Sequence, residues 1–123
     1  MDRSVEKLLL AAQDTGIANA ARAWQLKNDS AAGTAEELNA RMAEALSVMR
    51  DAAEKGLDPN LRSVSRLTGG NAAKLMQAAV SGQTMGGSLL GRICARALAV
   101  AECNAAMGRI VAAPTAGACG ILP

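Results

Sequence analysis

TAEELNARMAEALSVMRDAAEKG, residues 34–56, opens on Thr34 and places Glu37 three positions later. That spacing is a capping box, in which the threonine hydroxyl and the glutamate carboxylate each satisfy an amide that the first helical turn leaves unpaired. A helix therefore starts here. Behind the cap, Leu38, Met42, Ala45, Leu46, Met49 and Ala53 recur at helical spacing as one apolar stripe, and Gly56 supplies the stop. Trp24 is the only aromatic among 123 residues, half of which are hydrophobic, so any core is built from Ala, Leu, Val, Ile and Met. These residues favour helix over strand. The expectation is an all-α chain, a compact helical domain of about four to five helices with Gly-rich loops, occupying residues 1–123 as one domain.

Toward the N-terminus, Ser4 can cap a first helix through Val5, Leu8 and Leu9, with Glu6 in its first turn and Gly16 ending or kinking it. Ile17, Ala20, Ala21 and Trp24 then mark one stripe of a second helix ending near Lys27, followed by a loop over residues 28–33. Beyond Gly56, LDPNLRSVSRLT (residues 57–68) has no helical period and leads into Gly69 and Gly70. Asn71 can cap a short helix through Leu75 and Val80, and SGQTMGG (residues 81–87) reads as another loop. The longest helix is expected over residues 88–112, with Leu89, Ile93, Ala97, Val100, Asn104, Met107 and Val111 at near-helical period and Pro114 as its terminator. PTAGACGILP, residues 114–123, is a Gly-rich loop with no helix cap, which suggests a piece of a longer chain.

The net charge of +2 comes from scattered cations interleaved with acids, without the basic stripe that grips phosphates, so nucleic acid is not an expected partner. No apolar run is long enough to span a bilayer and the start does not read as a signal peptide; with an odd three cysteines, Cys94, Cys103 and Cys119, a reducing cytoplasm is expected. There is no His and no Tyr, which removes the commonest general base, the usual nucleophile triads and the easiest zinc ligands. A helical interaction or DNA-binding module is the rival reading, weakened because Lys74 is the single cation of the candidate recognition helix. A pyridoxal phosphate enzyme would need a Schiff-base lysine, and Lys7, Lys27, Lys55 and Lys74 have no motif around them for it.

Cys94 and Cys103 lie nine residues apart on one expected helix, on opposite faces, and read as small buried hydrophobes rather than shared metal ligands. Cys119, in the Gly-rich loop, is the better candidate for a reactive or ligating thiol. Ser63, Ser65, Thr68, Gly69, Gly70 and Asn71 bring hydroxyls and unhindered amides to a helix start, where a carboxylate or phosphate can bind. An ordinary loop and N-cap fits the same spacing. Lys74 can pair with such an anion or simply be solvated, and the stretch from Pro114 to Gly117 is either a backbone nest or a helix stop.

SRLTGGNAAKL (residues 65–75), SGQTMGGSLLGRI (81–93) and above all ALAVAECNAAMGRIVAAPTAGACGILP (97–123) resemble the alpha part of iron–sulfur L-serine dehydratases, and the resemblance extends more loosely over the whole chain. It implies the N-terminal part of a larger helical alpha domain whose enzyme converts L-serine to pyruvate and ammonia. In that family a [4Fe-4S] cluster offers one iron as a Lewis acid to the substrate hydroxyl while a base takes the α-proton. The family's cluster cysteines lie downstream of the GILP stretch, so the resemblance assigns no metal ligand and no catalytic residue here, Cys119 included, and no cofactor is expected on this piece alone. It implies that Ser63, Ser65, Thr68, Gly69, Gly70 and Asn71 help hold the substrate carboxylate or ammonium, with Asn104, Thr115, Ala116 and Gly117 lining the same cavity. Asn104 is expected to be buried, either for that purpose or for a structural hydrogen bond to a neighbouring loop. The implied partners are L-serine, a beta subunit or beta domain, the rest of the alpha domain and further copies in a homo-oligomer, with no nucleic acid and no membrane.

Overall fold

The computed structural model describes residues 5–112, and every described element is a helix: α1 (Val5–Thr15), α2 (Ile17–Asn28), α3 (Ala35–Lys55), α4 (Asn71–Val80) and α5 (Gly87–Ala105). The all-α expectation and the count of helices both hold. The chain divides into two compact units at Glu44/Ala45.

In the first unit α1 and α2 pack on one another across a single joint residue, Gly16. Its φ of +81° is a conformation that side-chain-bearing residues rarely adopt, which is why the break falls there. Ala20, Ala32 and Leu38 are buried. The stripe expected on α2 is only partly covered: Ala20 is buried and Trp24 half-buried, but Ile17 and Ala21 are exposed. At the start of α3 the capping box is reciprocal. The Thr34 amide donates to Glu37 Oε2 at 2.8 Å, and the Glu37 amide donates to Thr34 Oγ1 at 3.2 Å. The Thr34 hydrogen bonds, backbone first, hold the Glu37 carboxyl below its ordinary range, and Arg41 adds a smaller attraction. Arg41 also donates to the carbonyls of Ala31 and Ala32, tying the α2–α3 loop to the first turns of α3.

The expected face of α3 needs correcting. Met42 is 62% exposed and Leu46 is exposed, whereas Val48, Ala52 and Ala53 are buried and Ala45 and Met49 half-buried. Positions 45, 48, 49, 52 and 53, buried or half-buried, are themselves a helical stripe, turned away from Met42 and Leu46. Gly56, which ends α3, carries no positive φ; a Cβ there would run into the carbonyl oxygen of Ala99 on α5. Space, rather than backbone conformation, calls for glycine at this stop.

In the second unit α4 packs on α5 through very small side chains. Ala72 and Ala79 of α4 and Ala95 and Ala99 of α5 are fully buried. Gly91, Ala95 and Ala99 recur every four residues, and a Cβ added at Gly91 would stand 2.7 Å from the Ala79 Cβ. α5 ends at Ala105, seven residues short of the expected limit. The stop is a Schellman turn: the Gly108 amide donates to the Cys103 carbonyl at 2.8 Å and the Met107 amide to that of Asn104 at 2.9 Å. Met107 takes the left-handed position (φ +62°) normally given to glycine, so the turn lacks its usual signature in the sequence. The terminator expected at Pro114 lies outside the described residues, as does the Ser4 cap.

Candidate functional site: a glycine turn braced by a buried carboxylate

The segment between α3 and α4 has no repeating structure, yet its backbone groups find partners in order. Asp58 Oδ1 accepts from the Asn60 amide at 2.9 Å, and Arg62 Nη1 donates to the carbonyls of Pro59 and Leu61 at 2.9 and 2.7 Å. Ser63, 9% exposed, is the hub of the next turn. Its amide donates to the Thr68 carbonyl, its Oγ accepts from the Thr68 amide at 3.2 Å, and its carbonyl accepts from the Arg66 amide. The Ser63 and Ser65 hydroxyls share a hydrogen bond of 3.1 Å. Gly69 and Gly70 follow with φ of +137° and +77°, and Cβ atoms there would meet the carbonyl oxygens of Leu61 and Pro59. Only glycine fits both the angle and the gap.

α4 begins directly after this turn, and Gly70, at its N-cap, has no side chain to offer the free amides. Their acceptor comes from 30 to 32 residues away, near the end of α5. Glu102 Oε2 accepts from the Gly70 amide at 3.0 Å and the Ala72 amide at 3.4 Å, while Oε1 accepts from the Asn71 amide at 2.9 Å. The glutamate is 6% exposed. Burying a carboxylate is costly, and what offsets the cost here is charge-assisted hydrogen bonding to consecutive amides at the positive end of a helix dipole. One helical turn on from Glu102, the Ala105 carbonyl accepts from the Val64 amide at 3.1 Å. The last turn of α5 thus grips the loop at Val64 and again at residues 70–72.

This arrangement brings Ser63, Ser65, Thr68, Gly69, Gly70 and Asn71 into one loop, with Asn104 on the helical turn that holds it. Three expectations change. Asn71 is the first helical residue and not the cap, because Glu102 performs that task. Asn104 is exposed rather than buried, as it faces away from the side that Glu102 and Cys103 bury. Of the two described cysteines, Cys103 is buried, with its sulfur where a Cβ at Gly108 would fall, but Cys94 is exposed, since the buried side of α5 is the Gly91, Ala95, Ala99 side. Thr115, Ala116, Gly117 and Cys119 lie outside the described residues. Lys74 is exposed.

Facing solvent at the loop are the uncharged polar residues Ser65, Thr68, Asn71 and Asn104 together with Arg62, Val64, Arg66 and Leu67, while Ser63 and the glycines shape the backbone. The amides that could bind an outside anion at the start of α4 already donate to Glu102. Spacing alone did not point to this residue, although two signals bear on it. Glycines at a helix start leave the amides without a local acceptor, and Glu102 is the sole acid after Asp58 in the sequence. A separate groove of about 400 Å³ beside α4, lined by Leu57, Ala73, Met76, Gln77, Val80 and Ser81, contains no titratable side chain. Among the described residues no group of three or more His, Cys, Asp or Glu can hold a metal ion, so they do not fit the ligand set of an iron–sulfur cluster. No described helix is long and apolar enough to cross a membrane.

The family profile described as Serine dehydratase alpha chain matches residues 5–123. A relative from Bacillus subtilis, "Probable L-serine dehydratase, alpha chain", is 43% identical over 73% of this chain and 30% of its own. One from Peptoniphilus asaccharolyticus, "L-serine dehydratase, alpha chain", is 37% identical over 73% of this chain and 31% of its own. "L-serine dehydratase 2" from Escherichia coli is 38% identical over 90% of this chain and 25% of its own. The chain therefore spans a quarter to a third of the length of these relatives. No solved structure matches it.

Proposed function

The chain belongs to the serine dehydratase alpha chain family, and on that premise we propose that it forms part of an enzyme that eliminates water from L-serine. Loss of the α-proton and the β-hydroxyl leaves aminoacrylate, which tautomerises to an imine and hydrolyses to pyruvate and ammonia. The observation that carries the reading is the family match over residues 5–123, which includes the whole braced loop.

In this reading the loop is a binding element. Ser65, Thr68, Asn71 and Asn104, exposed and uncharged, contact the carboxylate and ammonium of the zwitterionic substrate. Ser63, Gly69 and Gly70 fix the curvature that presents them, and Thr115, Ala116 and Gly117 line the same cavity. The base that removes the α-proton is supplied from elsewhere, because the chain has no His or Tyr and the buried Glu102 is committed to backbone amides. A [4Fe-4S] cluster would supply Lewis-acid activation of the leaving hydroxyl in the complete enzyme, and residues other than those described here would hold it. A beta subunit or beta domain and the remainder of the alpha chain complete the site, further copies assemble into a homo-oligomer, and the chain by itself is inactive. The enzyme works in the cytoplasm, where thiols such as Cys94 stay reduced.

The test is anaerobic iron–sulfur reconstitution followed by a pyruvate assay with L-serine, on this chain alone and within the complete alpha–beta enzyme. Pyruvate from the complete form only is the expected result; no pyruvate from either would overturn the proposal. In the complete form, Thr68→Ala and Ser65→Ala should each raise the KM for L-serine about tenfold, on the order of one lost hydrogen bond to a charged group.

A further inference from the structure

We propose that Glu102 is a positioning residue for L-serine binding: its buried carboxylate fixes the turn that holds the Ser65 and Thr68 hydroxyls toward substrate. The inference rests on the functional reading above and adds a residue that touches no substrate. Three observations carry it. The carboxylate, 6% exposed, accepts from three successive amides at residues 70–72, so it sets the direction in which the chain enters α4. The same turn of α5 holds the Val64 amide through the Ala105 carbonyl. Ser65 and Thr68 therefore sit on a short arc pinned at both ends to one helix, with Ser63 bridging its interior. Moreover, Glu102 is the sole acid after Asp58, while Arg62, Arg66, Lys74, Arg92, Arg96 and Arg109 are spread over the same stretch. A carboxylate needed only for surface charge balance would not be the buried one.

A plain helix cap and a positioning residue make different predictions. Loss of a cap lowers the melting temperature and leaves binding alone below it. Loss of the positioning group displaces the arc and weakens substrate binding in the folded enzyme. The experiment compares the complete, cluster-loaded enzyme with its Glu102→Gln, Glu102→Ala and Glu102→Leu variants, with folding checked by circular dichroism at the assay temperature. Glutamine keeps the size but turns an NH2 toward donors; alanine opens a carboxylate-sized gap beside the amides; leucine fills the gap without an acceptor.

The expected result is a KM for L-serine raised about tenfold or more in all three, with kcat changed by less than about threefold. Added formate should restore the KM of Glu102→Ala saturably, by occupying the vacated place at the amides, and should do nothing for wild type or Glu102→Leu. If alanine and leucine prevent folding, Glu102→Asp replaces them, with the same KM-against-kcat reading. Folded variants with an unchanged KM, or with a lowered kcat alone, would overturn the inference, as would a folded Glu102→Ala enzyme indifferent to formate. A wild-type complete enzyme that does not form pyruvate from L-serine would instead sink the functional reading itself, and this inference with it.

Discussion

Thr34 and Glu37 show how far a pair of residues can be taken from sequence to energetics. Both halves of their box form, and their hydrogen bonds lower the Glu37 pKa from its ordinary 4.5. A carboxyl whose folded pKa is depressed contributes stability that is present above its unfolded pKa and is lost as pH falls through the folded one. The contribution is thus intact at neutral pH, begins to be lost near pH 4.5 and is gone once the pH has fallen through the depressed folded value. Thr34→Ala should lower unfolding stability at pH 7 by about 1 kcal/mol in urea titration. Glu37→Gln, which preserves an acceptor without the titration, should flatten the acid limb of the stability curve, and an unchanged limb would count against the assignment. This pair was legible because its signal is local, with partners three residues apart. Glu102 was not, because its partners are some thirty residues distant and backbone amides have no letter of their own in a sequence. Asn104 misled for a related reason: a polar residue in an apolar helix reads as buried until the neighbouring helix shows which side is covered.

At the scale of elements, the helices were read from periodicity and their ends from Gly, Pro and capping residues, and the errors fall where those signals are borrowed by something else. α5 stops at a turn whose left-handed residue is methionine, so the eye runs on to the next proline. Of the stripe expected on α3, Leu38 and Ala53 are buried and Ala45 and Met49 half-buried, but Met42 and Leu46 are exposed and the covered face turns instead through Val48 and Ala52. Close approach is the common theme of the second unit, and it is testable at two glycines. Gly56→Ala and Gly91→Ala should each cost about 1–3 kcal/mol, since the added methyl meets the backbone of Ala99 in one case and the Ala79 methyl in the other. An ordinary glycine-to-alanine change within a helix would instead gain stability. Thermal melts of the two variants decide the sign, and a gain at either position would mean that the helices stand further apart than described.

For the molecule as a whole, the same economy of small residues leaves larger apolar ones outside. Leu89, 76% exposed, and Ile93, one turn further along α5, lie on one side of the helix beside the exposed Leu90. Exposed apolar groups at that spacing favour association with another apolar surface. Leu89→Glu with Ile93→Glu should therefore shift the complete enzyme toward smaller species in sedimentation velocity without altering its helix content. A sedimentation coefficient that does not move would remove this surface from the assembly. How much of the molecule could be foreseen follows from range: helices, loops and the family's motifs are written in consecutive residues, whereas the brace between α4 and α5 and the choice of outward face are not.

The position of Glu102 also orders events in time. α4 and α5 form a hairpin that can zip from its short connection, where Gly91 meets Ala79, with little chain to close at each step. The carboxylate clasp stands at the far end of that zipper and closes a larger ring than any contact within the hairpin, so its entropic cost falls due when the hairpin is already in place. What closes last opens first. The amides of residues 70–72 should then exchange with solvent deuterium ahead of those in the middle of α4, and the segment carrying Ser65 and Thr68 can loosen while the hairpin beneath it stays folded.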